Sequence, residues 1–145
     1  LKIKVGLNAP LTELAQLTAL ARLLPTGVSV RLDAMQAVDD SHLFLSSVTL
    51  GEIQAGIELT REQDAAKAAE IEAWLELVAS AYNVLAMDGA VFRQWARLMH
   101  RRSDTLYEDA MITATAKIHG LTVVTRNVAD FHALGVQVLN PFEPR

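Results

Sequence analysis

The feature that most constrains the fold is a helix-to-strand junction around residue 120. Residues 108–119 place small and apolar side chains at helical spacing, and Gly120 suits the left-handed turn that ends many helices. The next five residues, LTVVT, are β-branched and apolar on both faces. A strand of this kind is typical of a parallel sheet covered by helices on both sides. The junction therefore predicts an α/β fold with a central, mostly parallel sheet.

Other patterns predict further elements of such a fold. Helices are predicted over 11–24, 49–59, 61–80 and 90–100, and strands over 2–7, 42–48 and 136–139. Residues 83–86 fit either a short connection or a strand. Residues 28–32 alternate like a strand, whereas 31–38 also fit a short helix. Thr49 and Glu52 fit a capping box at the second helix, and Asp88 fits an N-cap before the fourth. No repeat or long linker interrupts the sequence, which predicts a single domain over residues 1–145.

Composition excludes several classes of protein. The chain has no Cys, so disulfides and thiolate metal sites are excluded. No apolar run is long enough to span a bilayer and residues 1–30 lack the order of a signal peptide, so we expect a cytoplasmic protein without a membrane partner. The net charge is −4. An acidic chain needs a local basic patch, a metal ion or both to approach a phosphate backbone.

Polar side chains cluster where the predicted strands end. Glu52 follows the 42–48 strand, Asp109 opens the helix before LTVVT, and Asn127 and Asp130 follow LTVVT. Ligand sites of open parallel sheets lie beyond the carboxyl ends of the strands, and Mg²⁺ or Mn²⁺ prefers oxygen ligands. Each residue also has a structural interpretation: Glu52 as part of a capping box, Asp109 as a helix-dipole partner, and the last two as turn and cap residues.

Two stretches of the chain resemble PIN-domain proteins of the VapC and FitB toxin type. FLSSVTLGEIQAGI is similar to their second strand and following helix, and YEDAMITATAKIHGLTVVTRNVADFHALGVQVLNPFEP to their C-terminal part. The second match contains an acid before I-x-A-T-A, then T-R-N, D-F and N-P-F in order. Residues 43–145 thus resemble the family, which implies a three-layer α/β/α domain with a mostly parallel sheet.

The resemblance also implies an activity and a set of site residues. Such toxins are Mg²⁺- or Mn²⁺-dependent ribonucleases of type II toxin–antitoxin pairs, so it implies an RNA substrate, a cognate antitoxin and a homodimer. Glu52 and Asp109 correspond to metal-binding positions, and Asn127 to a position held by an acid or Asn. Asp130 follows Asn127 by three residues and is expected to reach the same ion, directly or through water. Thr125 is implied to orient the site, and Arg126 to contact phosphate or to form a surface salt bridge.

The N-terminus departs from the family pattern. Members open with a strand ending in D-T-N, whose Asp binds the metal, and here that position falls near Leu7 or Asn8. Asp33 follows a strand-like run and is an alternative extra ligand, although it lies close to Glu52 in sequence. One interpretation of residues 1–30 is an altered, truncated or out-of-frame start of a toxin gene.

Three functions therefore compete. The leading hypothesis is a metal-dependent ribonuclease toxin. The second is a catalytically impaired PIN-fold module that binds an antitoxin or RNA without cleaving it, and the third is an unrelated phosphate-binding or regulatory α/β domain. The third lacks a Gly-rich phosphate loop. The exposed remainder of the 61–80 helix, with Trp74, is either a dimer face or part of the core.

Overall fold

A computed structural model describes residues 44–125 and 127–140. These residues fall into two compact units, the first containing Leu45 and residues 49–84 and the second residues 46–48 and 85–140. The elements predicted over 2–7, 11–24, 28–32 and 31–38 lie outside the described residues, as do Asp33 and Arg126. The assignment of residues 1–145 to a single domain stays a prediction.

Helices dominate the described chain, and short strands alternate with them. The elements in chain order are β1 (Phe44–Ser46), α1 (Ser47–Arg61), α2 (Ala65–Ala81), β2 (Asn83–Leu85), α3 (Gly89–Met99), a 3₁₀ turn (Asp104–Leu106), α4 (Tyr107–Ile118), β3 (Val123–Val124), α5 (Val128–Ala133) and β4 (Val138–Leu139). β1 pairs with β2, and β3 pairs in parallel with β4. This mixed, partly parallel architecture confirms the predicted α/β class. The strands are shorter than the apolar runs that predicted them.

The core of the first unit lies between α1 and α2. Asp64 caps α2, because its side chain accepts a hydrogen bond of 2.9 Å from the backbone N–H of Lys67. The helix then buries the face predicted from its spacing, namely Ala68, Ile71, Leu75 and Val78, against Leu45, Ile53 and Ile57. Trp74 is only 3% exposed and belongs to the same cluster. Of the two interpretations of Trp74, the core is therefore correct and the dimer face is wrong.

The start of α1 differs from the prediction. The helix begins at Ser47, two residues before the predicted cap, and Thr49 is buried within its first turn. At the helix start, the hydroxyl of Ser46 accepts a 3.2 Å hydrogen bond from the Val48 N–H. The capping-box interpretation of Thr49 and Glu52 is therefore wrong, because Ser46 can end the strand and support the first turn at once.

α3 and α4 begin and end largely as the sequence indicates. The Asp88 carboxylate accepts a 2.9 Å hydrogen bond from the Val91 N–H, which confirms it as the cap of α3. Gly120 follows α4 with φ +64, and the Leu121 N–H donates to the Ala116 carbonyl over 2.8 Å. This left-handed turn confirms the predicted role of Gly120. The segment between the helices predicted over 90–100 and 108–119 contains the 3₁₀ turn, and Tyr107 already belongs to α4.

The core of the second unit forms where α4, β3 and α5 meet. Both residues of β3, Val123 and Val124, are buried, as expected for a strand covered on both faces. Phe131 of α5 is fully buried and packs with Ile112, Ala116 and Val123. This packing holds β3 against the second half of α4 and against α5. None of the helices in the described part combines the length and apolar character needed to cross a lipid bilayer.

Candidate metal centre

Asp109, Asn127 and Asp130 come together around the end of β3. Asp109 lies in the first turn of α4, Asn127 follows β3, and Asp130 lies in the first turn of α5. The amide nitrogen of Asn127 donates to Asp109 Oδ2 over 3.4 Å and also to Asp130 Oδ2 in a short hydrogen bond. All three side chains are half-buried. Two carboxylates that lie 21 residues apart in sequence are thus held on one amide group.

Thr125 supports this arrangement from the backbone side. The residue is buried, and its Oγ1 accepts a 3.1 Å hydrogen bond from the Asn127 N–H. Asn127 stands at the cap position of α5, yet its side chain makes no capping hydrogen bond. The interpretation of Asn127 as a helix cap is therefore wrong. Its side chain is committed to the two carboxylates, and Thr125 fixes the turn from which it projects.

The donor set suits a hard divalent cation. Mg²⁺ is usually bound by one or two carboxylates with water or phosphate completing its shell, and Mn²⁺ accepts the same oxygen ligands. Asp109 and Asp130 supply two carboxylates, and rotation of the Asn127 amide would turn its oxygen toward them in place of its nitrogen. Over residues 44–125 and 127–140, no group of three or more His, Asp or Glu side chains is arranged to hold a metal.

Glu52 belongs to the first unit and is described by itself. It lies on α1, is half-buried as a residue, and has its Oε2 atom shielded from solvent. A carboxylate oxygen in such surroundings needs a hydrogen bond or a cation to balance its charge. The assignment of Glu52 as a metal ligand stays a prediction, and so do those of Asp33 and Arg126.

Sequence reasoning did not single out three aromatic side chains of the second unit. The Phe92 and Trp95 rings of α3 meet edge to face with centroids 6.2 Å apart, and Tyr107 of α4 meets Trp95 at 4.9 Å. We call Phe92, Trp95 and Tyr107 the aromatic cluster. The i, i+3 spacing of Phe92 and Trp95 was a signal that they share a helix side. The contribution of Tyr107 depends on packing between helices, which spacing does not reveal.

Comparison with known proteins identifies the fold family. The sequence matches the family model for the PIN domain over residues 11–136. The chain belongs to the PIN-domain family. The match spans both units and confirms the resemblance inferred from the two sequence strings. Proteins of this family generally use divalent metal ions, which agrees with the oxygen-rich donor set around Asn127.

Two relatives extend the likeness along most of the chain. The plasmid stability protein StbB of Pseudomonas syringae pv. tomato is 34% identical over 119 residues, which is 77% of this PIN-domain chain and 84% of StbB. The VapC ribonuclease Y4jK of Sinorhizobium fredii is 34% identical over 110 residues, 70% of this chain and 76% of Y4jK.

Solved structures lead to the same fold. FitAB bound to an IR36 DNA fragment contains a chain with a TM-score of 0.70 and 25% identity, covering 88% of this chain and 93% of the other. FitAcB from Neisseria gonorrhoeae contains a chain with a TM-score of 0.68 and 25% identity, and the match covers 88% of this chain and 96% of the other. DNA-bound VapBC from Salmonella typhimurium contains a chain with a TM-score of 0.56 and 24% identity, and the match covers 68% of this chain and 74% of the other. At this identity the likeness supports the fold alone. The predicted PIN-like architecture is therefore confirmed.

Proposed function

We propose that this PIN-domain protein is the ribonuclease toxin of a toxin–antitoxin pair and cleaves RNA with the help of Mg²⁺ or Mn²⁺. The observation that carries the proposal is the convergence of Asp109 and Asp130 on the Asn127 amide. The similarity to a VapC ribonuclease supports the reaction, and the similarity to FitAB supports the pairing with an antitoxin.

The residues have separate roles in this proposal. Asp109 and Asp130 hold the cation, and Glu52, with Asp33 as an alternative, adds a further carboxylate. Thr125 keeps Asn127 in place through the 3.1 Å hydrogen bond, and Arg126 contacts phosphate. When bound, the cation supplies an activated water and charge stabilisation for in-line attack on a phosphodiester. The half-buried position of Asp109 and Asp130 limits competition from bulk water for their oxygen atoms.

Partners follow from the same likeness. We propose that a cognate antitoxin covers the carboxylates and inhibits the toxin, with a basic side chain placed among them. We also propose a homodimer, although Trp74 is excluded from its interface by its burial in the core. Sedimentation velocity on the purified chain would show the dimer as a species of twice the monomer mass.

One observation favours a second function, that of a binding module without cleavage. The amino group of Asn127 lies between the two carboxylates and already satisfies them by hydrogen bonding. An amide is neutral and a weaker ligand than a carboxylate for a hard cation. If the cation does not displace the amide, the protein binds its antitoxin or RNA but does not cleave RNA.

The deciding experiment compares Asp109→Asn with Asp104→Asn. Asp104 is an exposed acid of the preceding 3₁₀ turn, so the control makes the same chemical change five residues away. Calorimetry with Mn²⁺ and cleavage of a labelled RNA are measured on the wild type and both variants. We expect Mn²⁺ binding and cleavage to be lost only in Asp109→Asn. Cleavage that survives this change would refute the site, and a wild type that neither binds Mn²⁺ nor cleaves RNA would favour the binding module.

A further inference from the structure

The aromatic cluster leaves two large rings open to solvent. Phe92 is 47% exposed and Tyr107 is 38% exposed, and each contacts the Trp95 ring that lies between them. α3, which bears Phe92 and Trp95, fully buries only one side chain, that of Val91. Exposed apolar side chains that lie together on neighbouring helices are a common mark of a binding surface. The ring contacts hold this surface in a fixed shape before any ligand arrives.

The same segment is strongly basic. Residues 89–103 contain four arginines and one histidine but no acidic residue, although the whole chain has a net charge of −4. We call Arg93, Arg97, Arg101 and Arg102 the arginine run, and all four are exposed. This segment therefore supplies the local basic patch that an acidic protein needs in order to approach a polyanion.

Arg101 stands at a position where its side chain is not favoured by the backbone. Its φ is +59, in the left-handed region, directly after His100, the residue that caps the C-terminus of α3. Glycine is the usual residue at such a position, because an L side chain is strained there. The arginine therefore stands there at a cost in backbone strain, and it presents a positive charge at the end of α3, where the helix dipole also favours a cation.

We propose that the aromatic cluster and the arginine run together bind an unpaired segment of RNA. Exposed aromatic rings stack on the faces of unpaired bases, and arginines neutralise the phosphates between them. In a duplex the base faces are covered, so stacking favours a single strand. A second copy of the chain is a poorer occupant of this surface. A two-fold interface would bring the arginine runs of the two copies close together, and their like charges would repel.

The surface extends the proposed ribonuclease function and rests on it for the choice of RNA. Tyr107 precedes Asp109 by two residues on α4, so the aromatic cluster ends where the carboxylates begin. Residues two apart on a helix point to different sides. A strand bound on the rings therefore passes around the start of α4 to reach Asp109, and the surface selects which nucleotides arrive there.

Binding can be measured without cleavage. Fluorescence anisotropy of a short fluorescein-labelled oligouridine RNA is followed with the full chain in EDTA, over a range of salt concentrations. We expect Phe92→Ala to weaken binding by about 5- to 100-fold, the usual effect of removing one stacking ring. Phe92→Tyr keeps the ring and should restore the affinity. Arg93→Gln should lower the slope of log affinity against log salt by about 0.7, the contribution of one phosphate contact to a single strand.

Two matched controls test whether the effects belong to this surface. Leu77→Ala removes a side chain that is 66% exposed on α2, and Lys117→Gln removes an exposed charge from the far end of α4. Both should bind RNA like the wild type, and thermal unfolding checks that every variant is folded. Equal binding by Phe92→Ala, Arg93→Gln and the wild type would overturn the proposal. So would loss of affinity in Phe92→Tyr, because stacking would then not explain the effect.

The remaining outcomes separate this surface from the catalytic proposal. Asp109→Asn should still bind the oligouridine in EDTA, because its change lies outside the aromatic cluster. Loss of cleavage in Asp109→Asn with unaltered binding by Phe92→Ala would support the ribonuclease and overturn the surface. Absence of RNA binding, together with self-association that Phe92→Ala abolishes in sedimentation velocity, would assign the surface to a second copy and also overturn the proposal.

Discussion

Replacing Asn127 by Asp should make the chain less stable in EDTA and more responsive to Mn²⁺. In the wild type the amide nitrogen donates to Asp109 and to Asp130, which keeps both carboxylates satisfied in the same small volume. An aspartate has no proton to donate at neutral pH, so both hydrogen bonds are lost. It also adds a third negative charge where two already converge. A divalent cation reverses both effects, because three carboxylates bind it better than two.

The size of the effect follows from these contacts. Hydrogen bonds to charged groups contribute roughly 1.5–3 kcal/mol each to stability. Because these side chains are half-exposed, screening by solvent reduces the contribution to about 1 kcal/mol per bond. Two new pairs of like charges near 4 Å cost about 1 kcal/mol each in water-like surroundings. The variant should therefore lose about 2–4 kcal/mol of unfolding free energy, a drop in Tm of about 10 °C for a chain of this size. A cation at a hundred times its Kd restores about 2.7 kcal/mol.

Thermal unfolding of the wild type and Asn127→Asp, in EDTA and in Mn²⁺, measures both quantities. Gln63→Glu is the control, since it adds the same charge at an exposed position of the first unit. We expect the control to melt with the wild type in both buffers, and Asn127→Asp to melt lower in EDTA but gain more from Mn²⁺. If Asn127→Asp matches the wild type in EDTA, or gains no more from Mn²⁺, the amide does not hold the carboxylates as described.

Three further predictions concern stability, and unfolding in urea or heat checks each. Phe131→Ala should cost about 3–5 kcal/mol, because a fully buried ring is removed from the core of the second unit. Arg101→Gly should add about 1 kcal/mol by relieving the left-handed strain. Arg61 lowers the pKa of Glu58 and of Glu72 by hydrogen bonding, so wild type should exceed Arg61→Met in stability at pH 7. That difference should vanish as pH falls below 4.5 through the lowered pKa values.

Features of the fold that depend only on residues close together in the sequence were predictable. Asp88 caps α3 and Gly120 ends α4, since both roles require only a short side chain or a missing one at a helix boundary. The start of α1 was not predictable, because Ser46, Ser47 and Thr49 are all acceptable caps. Burial of Thr49 decided among them, and burial is a property of the packed unit.

The candidate site was predictable in its residues but not in its bonding. Position around the buried strand was enough to nominate Asp109, Asn127 and Asp130, and the family resemblance then implied that Asp109 binds a metal. The sequence gives no sign that one amide nitrogen serves both carboxylates, because that depends on the side-chain direction of Asn127 at the end of β3. Likewise, Tyr107 joins Phe92 and Trp95 only when α3 and α4 pack together.

The spacing of the site along the chain has a consequence for folding kinetics. Asp109 and Asn127 are 18 residues apart and Asn127 and Asp130 only three, so one helix–strand–helix segment contains both hydrogen bonds from the Asn127 amide. Closing a short loop costs little entropy, and contacts of low sequence separation form early. The pair should thus be assembled soon after α4 and β3 meet. A ribosome that has released this segment has also released the three clustered residues of the proposed cation site.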